Sequence, residues 1–267
     1  NNNLLGKNST YKSSPQIELE SLFEFNTTLP LIKENTNYKN FLTPKFSFKF
    51  NPTGMKDNST ISRSVSVSDI FSANRLGLGN TFEEGKSLTL GIDYKKEKIS
   101  KKNNKENDNE KIDEINNYFE FKLATAIRDK EERFIPNKST LHRKNSNIFG
   151  SITNNLHNNI QIDYDFALDN DLNTFEYNSI GATFLLGNFE STFNFIEENG
   201  EMGDTNVLSS SFSYNIDENN FLTFQTRRNR KINLTEYYDL VYEYKNDCLT
   251  AGIKYKKTYY QDRDIKP

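Results

Sequence analysis

Runs of about ten residues in which apolar and polar side chains alternate recur along most of this chain. The clearest run, NIQIDYDFAL, occupies residues 159–168. Its apolar face carries Ile160, Ile162, Tyr164, Phe166 and Leu168, and its other face carries Gln161, Asp163, Asp165 and Ala167. Alternation with period two is typical of a β-strand that has one apolar face, whereas an amphipathic helix requires a period near 3.6.

The same pattern predicts about twelve strands, many of them ten residues or longer. Strands of soluble proteins average about 5–6 residues, and a tilted strand that crosses a bilayer needs about 9–11. The lengths therefore favour an all-β fold, a partial antiparallel transmembrane β-barrel. The predicted strands cover residues 16–28, 41–51, 87–95, 117–128, 147–154, 158–168, 174–186, 188–197, 206–216, 220–229, 236–245 and 248–259.

The composition leaves a polar, partly disordered chain as the alternative to a barrel. Hydrophobic residues make up 34%, with 21 Phe, 14 Tyr and no Trp. A barrel also has a polar average, because its strands are apolar on one face only. The repeated alternation favours the barrel, since disorder does not produce it. With a net charge of only -3, the charge gives no indication of a nucleic-acid partner. The sequence contains no apolar run of about 18 residues, the length that a membrane-spanning helix needs.

The connections between the predicted strands alternate between short and long. From residue 154 onward the short ones are NLHNN, GN, DENN and KND, and the longer ones are DNDLN, EENGEMGDT and RNRKINLT. Outer-membrane barrels have short periplasmic turns and longer extracellular loops. This parity predicts that 52–86 and 129–146 lie outside the cell and that 29–40 and 96–116 lie in the periplasm.

Residues 96–116 break the short-turn rule. The run KEKISKKNNKENDNEKIDEIN is charged, rich in Asn and of low complexity, which predicts a disordered insertion. A missed strand that inverts the parity before this point is the alternative.

No arrangement of residues predicts catalysis, a cofactor or a metal. His142 and His157 lie far apart and have no Cys partners with zinc spacing. Asp163 and Asp165 lack the glycine and terminal Glu of a calcium loop, so we expect them, with Gln161 and Lys254, to line a polar lumen. The prediction is a protein that is not an enzyme.

Two groups of charged residues fall at strand ends on the side assigned to the cell surface. One group is Arg227, Arg228, Arg230 and Lys231 in TRRNRK; the other is Asp262, Arg263 and Asp264. Either group can be a solvated polar loop. The Asp-Arg-Asp group can also form a salt-bridge network that fixes the last strands, and arginine suits phosphate because it donates two parallel hydrogen bonds.

Three segments resemble the LptD family of outer-membrane proteins that assemble lipopolysaccharide, also called organic-solvent-tolerance proteins. The last segment, LVYEYKNDCLTAGIKYKKTYYQDRDIKP, resembles the C-terminal region of the family through its Tyr-Glu, Cys, Gly-x-x-Tyr and Asp-Arg-Asp elements. DIFSANRLGLGNTFEEGKSLTLGIDY resembles a second family segment, with its Asn-Arg, Glu-x-Gly and Leu-Thr-x-Gly elements. FLTPKFSFKFNPTG resembles a third, and together the matches cover about residues 29–267.

The resemblance implies a large barrel that inserts lipopolysaccharide into the outer leaflet of a Gram-negative outer membrane. The implied partners are lipopolysaccharide, a plug lipoprotein similar to LptE and a periplasmic bridge protein similar to LptA that contacts a preceding domain. We expect residues 1–267 to be a C-terminal portion of the barrel, without that domain and without the closing strand. The two charged groups at the surface rim become candidates for contact with lipopolysaccharide headgroups.

The only cysteine, Cys248, follows the short turn Lys245-Asn246-Asp247 and is therefore predicted at the periplasmic rim. From the residues alone it can equally be an incidental thiol. The resemblance implies a disulfide to the periplasmic domain, in a compartment whose redox state permits it. A general diffusion porin, which needs no tether or plug, and a soluble all-β surface protein remain the alternatives.

Overall fold

The computed structural model describes residues 20–79, 81–101, 113–156 and 159–259, with the backbone alone for 100–101 and 113–116. These residues form strands and no α-helix; single 3-10 turns lie at Asn137–Ser139 and Gly200–Met202. None of the described helical segments has the length and apolar character that crossing a membrane requires. The strands are β1 (Phe23–Thr28), β2 (Leu31–Glu34), β3 (Tyr38–Asn51), β4 (Gly85–Lys101), β5 (Asp113–Arg128), β6 (Ile148–Leu156), β7 (Ile160–Leu168), β8 (Phe175–Leu186), β9 (Phe189–Glu198), β10 (Asn206–Asn215), β11 (Asn220–Asn229), β12 (Leu234–Lys245) and β13 (Thr250–Thr258).

All strands belong to one antiparallel sheet, which confirms the predicted fold class. The hydrogen-bonded order is β1-β3-β4-β5-β6-β7-β8-β9-β10-β11-β12-β13, and β2 pairs with β3. From β3 onward each strand lies beside the next one in sequence, as in an up-and-down meander. Among the described residues β1 and β13 are the two ends of this order, so the sheet is not closed there.

The connection predicted over residues 29–40 is wrong, because most of it is strand. β1 pairs with the second half of β3 and β2 with its first half, so β1 and β2 form one strand interrupted at residues 29–30. Pro30 has no N–H to donate to the ladder, which accounts for the interruption. Only residues 35–37 remain as the turn, closed by a 2.8 Å hydrogen bond from Asn35 N to Tyr38 O.

The predicted disordered insertion over 96–116 is also too long. β4 continues to Lys101 and β5 begins at Asp113, and the two strands pair through this region with a bulge at Lys98/Ile99. Residues 102–112 lie outside the described residues. The sequence analysis missed these strand ends because their charged residues show no apolar alternation. They are strands nevertheless, because each pairs with its neighbour in the sheet.

The remaining described connections lie at two edges of the sheet, and their lengths follow the predicted alternation except at residues 230–233. There β11 and β12 extend into the predicted long loop and leave four residues, as many as in the turns at 216–219 and 246–249. The short-turn edge carries residues 35–37, 187–188, 216–219 and 246–249. The long-loop edge carries residues 52–84, 129–147, 169–174, 199–205 and 230–233. The sheet order requires this arrangement, because each antiparallel strand returns the chain to the opposite edge.

The two faces of the sheet differ sharply in what covers them. Residues 52–79 and 81–84, here called the inward segment, pack on one face, which we call the covered face. Thr89 and Ala126 on that face are buried, whereas Leu90 and Ile127, their neighbours on the opposite open face, are 42% and 39% exposed. The main buried cluster lies between the inward segment and the covered face, and it consists of Met55, Val65, Val67, Ile70, Leu76, Leu78, Ala124, Ala126, Ile135, Leu141, Phe149, Ala167 and Met202.

Aromatic rings join neighbouring strands on the open face. Phe212 of β10 stacks on Phe189 of β9 and on Phe224 of β11, with 6.2 Å between ring centroids in both pairs. Phe224 in turn stacks on Tyr238 of β12 at 6.2 Å. Cross-strand aromatic pairs stabilise a sheet by about 0.2–1 kcal/mol each, so the abundant Phe and Tyr hold together a face that has no described covering element.

A cation on the open face should impair assembly far more than a change on the covered face. Ile162 is 37% exposed on the open face, and a lysine that faces lipid near the midplane costs about 2–4 kcal/mol. We expect Ile162→Lys to reduce the heat-resistant, membrane-inserted fraction on semi-native gels, and Ile162→Leu to leave it unchanged.

Asp163→Asn provides the matched control on the covered face. Asp163 Oδ1 accepts a 2.9 Å hydrogen bond from the Thr153 hydroxyl, which an Asn oxygen can also accept. Equal folded fractions for Ile162→Lys and Asp163→Asn would contradict the assignment of the two faces.

Candidate functional site

The site is the contact between the inward segment and the covered face of β3, β4 and β5. A turn at residues 66–76 brings Ile70 and Arg75 against the sheet, where both side chains are buried. The 2.7 Å hydrogen bond between Ser66 Oγ and Asp69 Oδ2 and the 2.8 Å bond from Asn74 Nδ2 to Leu78 O order this turn. The sequence DIFSANR thus folds into a compact unit that presents one arginine to the sheet.

Arg75, Glu83 and Arg128 form a buried group that we call the arginine–glutamate cluster. Arg75 Nε donates a 2.6 Å hydrogen bond to Glu83 Oε2, and Arg128 Nη1 donates to Glu83 Oε1. Arg75 also donates from Nη1 to Thr89 Oγ1 at 2.8 Å and from Nη2 to Ser87 Oγ at 2.9 Å, both on β4. Bidentate pairing with a carboxylate is the strongest geometry open to an arginine, so the cluster fastens the inward segment to two strands.

The charge of Glu83 depends on its two arginines. Burial alone raises the pKa of a carboxyl group, but the positive charges of Arg75 and Arg128 and the hydrogen bond from Arg75 outweigh it and lower the pKa of Glu83 from 4.5 to about 2. The carboxylate is therefore charged at any physiological pH.

A lysine adds a second polar contact beside the cluster. Lys49 of β3 is 3% exposed, and its ammonium group donates to the Ser72 carbonyl oxygen in the inward segment. Its Nζ also lies 3.6 Å from Glu24 Oε1 of β1. The polar covered face thus supplies partners to backbone groups of the inward segment as well as to its charged side chains.

A glycine on β4 makes room for an aromatic ring of the inward segment. A Cβ atom added to Gly91 would lie 2.6 Å from Phe71 Cζ and 2.9 Å from the Leu123 carbonyl oxygen. Any larger residue at this position would force the ring away, so Gly91 sets how closely the inward segment approaches the sheet.

The loop at residues 129–147 packs against the inward segment and is tied to the rim of the sheet. Asn58 N donates to Phe134 O at 3.0 Å, and Asn147 Nδ2 donates to Glu176 Oε2 at 2.6 Å. Arg143 bridges Glu176 and Glu201 at 3.3 and 2.8 Å. These contacts join three loops of the long-loop edge into one layer.

His142 belongs to the same layer. Its Nε2 lies 3.4 Å from Glu201 Oε2. Burial lowers the pKa of His142 although Glu201 opposes the shift. At neutral pH the imidazole is therefore uncharged, and Arg143 supplies the positive charge that faces Glu201.

A cavity of about 320 Å³ lies between residues 64–68 of the inward segment and strands β6–β8. Asp165, Tyr177 and Met202 are among its lining residues. The carboxylate and the phenol offer hydrogen-bonding groups, while residues such as Ala167 and Val65 contribute apolar surface.

The four residues predicted to line a lumen share the covered face. Gln161 Nε2 donates to Asp163 Oδ2 at 2.8 Å, and Lys254 forms a 2.9 Å ion pair with Asp239 of β12. Asp165 lies at the cavity. The structure thus groups these residues on one face without bringing them to one point, and their role in a lumen stays a prediction.

The four basic residues of TRRNRK lie at the long-loop edge but point to different partners. Arg227 pairs with Glu236 at 2.8 Å, and Lys231 pairs with Asp204. Arg228 donates to Asn233 Oδ1, and the Arg230 guanidinium lies 5.3 Å from the centre of the Phe195 ring. They therefore form no single anion pocket. Asp262, Arg263 and Asp264 lie outside the described residues, as does His157.

Cys248 lies in the turn before β13, not at the start of a strand as predicted. The strand begins at Thr250, and Asn246 Oδ1 accepts hydrogen bonds from Cys248 N at 3.0 Å and Leu249 N at 2.8 Å. This Asx-type turn occupies the residues that the strand was expected to include. The thiol is exposed and free.

The arginine–glutamate cluster was missed by the sequence analysis. Glu83 and Arg128 are 45 positions apart, and no spacing rule connects them. The Asn-Arg and Glu-x-Gly elements of the second resembling segment contain Arg75 and Glu83, so the signal was present but carried no indication of a contact.

An amphipathic antiparallel sheet, with long loops packed on its polar face and an exposed apolar face, defines a wall of the β-barrel class. A model of the family described as LptD, LPS transport system D, matches residues 2–195 of this chain. The chain belongs to this family, and its activity falls within lipopolysaccharide transport. No protein with a curated description matches it.

Removing the charge of Glu83 should release the inward segment. Glu83→Gln leaves Arg75 and Arg128 buried beside a neutral partner, and breaking a buried pair costs about 3–5 kcal/mol. We expect faster proteolysis within residues 52–84 of the purified full-length protein. Glu131→Gln, which changes an exposed carboxylate in a neighbouring loop, should leave the cleavage rate unchanged; equal rates for both variants would show that the cluster does not hold the segment.

The stabilising effect of Glu83 should disappear only in strong acid. A lowered pKa contributes stability above the unfolded value of 4.5, and this contribution is lost as pH falls toward the folded value of about 2. We expect the difference in thermal midpoint between wild type and Glu83→Gln to stay constant down to about pH 4.5 and to shrink below it. A difference that vanished near neutral pH would contradict the charged pairing.

Proposed function

We propose that this chain is part of an outer-membrane barrel that inserts lipopolysaccharide into the outer leaflet. Membership of the family carries the proposal, because it assigns the chain to lipopolysaccharide transport. The amphipathic sheet supports it, since a barrel needs an apolar outer face and a polar interior to span a membrane around a hydrophilic path. In this proposal the open face contacts lipid and the covered face lines the lumen.

The chemistry of the cargo explains why such a wall is suited to the task. Lipopolysaccharide combines acyl chains, which are stable in the bilayer, with a charged saccharide, which is not. The saccharide can follow a polar covered face on which Asp165 and Lys254 offer hydrogen bonds and charge, while the acyl chains leave sideways between strands. The cavity of about 320 Å³ next to the inward segment is small for a saccharide of several rings, so the cavity alone does not hold the saccharide.

The orientation follows from the connection lengths. We place the short-turn edge in the periplasm and the long-loop edge at the cell surface, because that is the usual arrangement in bacterial barrels. The basic residues Arg227, Arg228, Arg230 and Lys231 then lie at the surface, where Arg228 and Arg230 have no described carboxylate partner and can meet anionic headgroups. We also propose that Asp262, Arg263 and Asp264 belong to this rim.

A plug lipoprotein, a periplasmic bridge protein and a preceding periplasmic domain complete the proposed assembly. Cys248 would tether the short-turn edge to that domain, and its exposed thiol is accessible to a partner. A disulfide requires Cα atoms within about 7 Å, so the tether would fix the domain directly beneath β12 and β13.

Surface delivery of lipopolysaccharide tests the proposed function directly. In cells depleted of their own family member, the full-length gene should restore lipopolysaccharide labelled on intact cells, with the total after lysis unchanged. A diffusion porin, the alternative with the same sheet, would restore uptake of small solutes and leave surface lipopolysaccharide low. That second result would contradict the proposal.

Electrophoresis tests the tether separately. The full-length protein from outer membranes should migrate differently with and without reductant, and Cys248→Ser should abolish the difference. A mobility shift that persisted in Cys248→Ser would assign the disulfide to other cysteines of the full-length chain.

A further inference from the structure

A group of lysines on the open face lies at the short-turn edge of β2 and β4. Lys33 and Lys96 both lie opposite Asn40 in the pairings of β3, and Lys98 lies opposite Tyr38. The side chains of these lysines therefore lie on the same face as the apolar residues Leu42 and Leu90. We call Lys33, Lys96 and Lys98 the lysine patch.

Among the side chains that the structure describes, no carboxylate on the open face pairs with the lysine patch. The nearest carboxylates of these strands, Glu34 and Glu97, belong to the covered face, where they pair with Lys39 at 3.9 Å and Lys95 at 2.6 Å. Within the described part of the chain no ion pair joins the patch to an acidic side chain.

Among the described residues of β7 to β13, the open face is uncharged at this edge. From β7 to β13 the described residues nearest the short turns on that face are Ile160, Leu186, Phe189, Tyr214, Asn220, Tyr244 and Ala251. The positive charge is thus a local feature of β2 and β4. A general excess of lysine would have placed cations along the whole edge.

A groove of about 250 Å³ adjoins the lysine patch, and Tyr38, Lys96, Lys98, Phe119 and Leu156 are among its lining residues. Lys96 Nζ lies 4.4 Å from the centre of the Tyr38 ring, a cation–π distance that holds the ammonium group beside the groove. Phe119 and Leu156 are 37% and 45% exposed. The groove therefore combines fixed positive charge with apolar surface.

We propose that the lysine patch binds the phosphodiester headgroup of an anionic phospholipid in the leaflet at the short-turn edge. The lysine stems lie along apolar surface while their ammonium groups reach headgroup depth, and basic pockets at this depth recognise anionic lipids. Phe119 and Leu156 contact the first part of the acyl chains. This inference rests on the membrane placement given under the proposed function.

The test is native mass spectrometry of the full-length protein in detergent, titrated with phosphatidylglycerol or phosphatidylcholine. Wild type should retain phosphatidylglycerol in preference to phosphatidylcholine. Each lysine removed should weaken this retention by about five-fold, so Lys96→Gln should lower it and Lys96→Gln/Lys98→Gln should lower it further. Phosphatidylcholine retention should not change.

Lys95→Gln is the matched control, because it removes the same charge from the adjacent residue on the covered face. Retention of phosphatidylglycerol should stay at the wild-type level in this variant. Equal losses in Lys95→Gln and Lys96→Gln, or no preference for phosphatidylglycerol in wild type, would overturn the proposal. Unchanged retention of phosphatidylglycerol in Lys96→Gln/Lys98→Gln would also overturn the proposal and would favour a protein as the partner of the lysine patch.

The readout does not depend on transport. A protein that binds phosphatidylglycerol through Lys96 and Lys98 but fails to restore surface lipopolysaccharide would contradict the proposed function and support the lipid site. The reverse pair of results would contradict only the lipid site.

Discussion

A strand that crosses a bilayer must satisfy every backbone hydrogen bond through its neighbours and must present apolar side chains to lipid. The pairing of a strand determines both properties. It fixes the direction of the strand, and the pleat then places alternate residues on opposite faces. The order β3 to β13 meets the first requirement with long antiparallel ladders. The open face, with its rows of Phe, Tyr, Ile and Leu, meets the second. A shift of one residue in any ladder would exchange the two faces of that strand.

The polar groups of the covered face need hydrogen-bonding partners, and the inward segment supplies them. Charged and hydroxyl groups such as Lys49 and Thr89 become buried once a segment packs on them, and each then needs a partner. The carboxylate of Glu83, the guanidinium of Arg75 and the carbonyl of Ser72 supply those partners. Buried ion pairs add little net stability relative to apolar packing but are costly to break. The cluster therefore fixes one defined position for a segment whose apolar residues, such as Ile70 and Leu76, already pack in the buried core.

Most of the sheet could be predicted from the sequence, because apolar and polar residues alternate with a period of two along most of its strands. β11 was predicted at its observed bounds, and β10 differs from the prediction by a single residue. The ends of β4 and β5 were missed because their charged residues show no alternation, and pairing with neighbours sets their structure. β2 was missed because the break at Pro30 made a strand of four residues resemble a loop.

The site was much less predictable than the sheet. The alternation of residues along each strand was enough to predict that Asp163 and Lys254 share the polar face, and the structure places both on the covered face. The packing of the inward segment on the covered face could not be predicted, because a loop has no periodic pattern of apolar residues that indicates which surface it contacts. Arg75, Glu83 and Arg128 meet only after β3, β4 and β5 have paired, so their roles emerge from the tertiary structure.

The most direct test of this account asks which face of the sheet meets lipopolysaccharide. Ser210 and Ser211 are adjacent on β10 and lie on the open face and the covered face, respectively. A photo-crosslinking amino acid placed at each position of the full-length protein in growing cells would compare the two faces at one depth. The account predicts adducts at position 211 from lipopolysaccharide in transit, which disappear when transport is blocked, whereas adducts at position 210 come from lipopolysaccharide already in the leaflet and persist. Adducts at position 210 alone, or yields at position 211 that do not depend on transport, would contradict it.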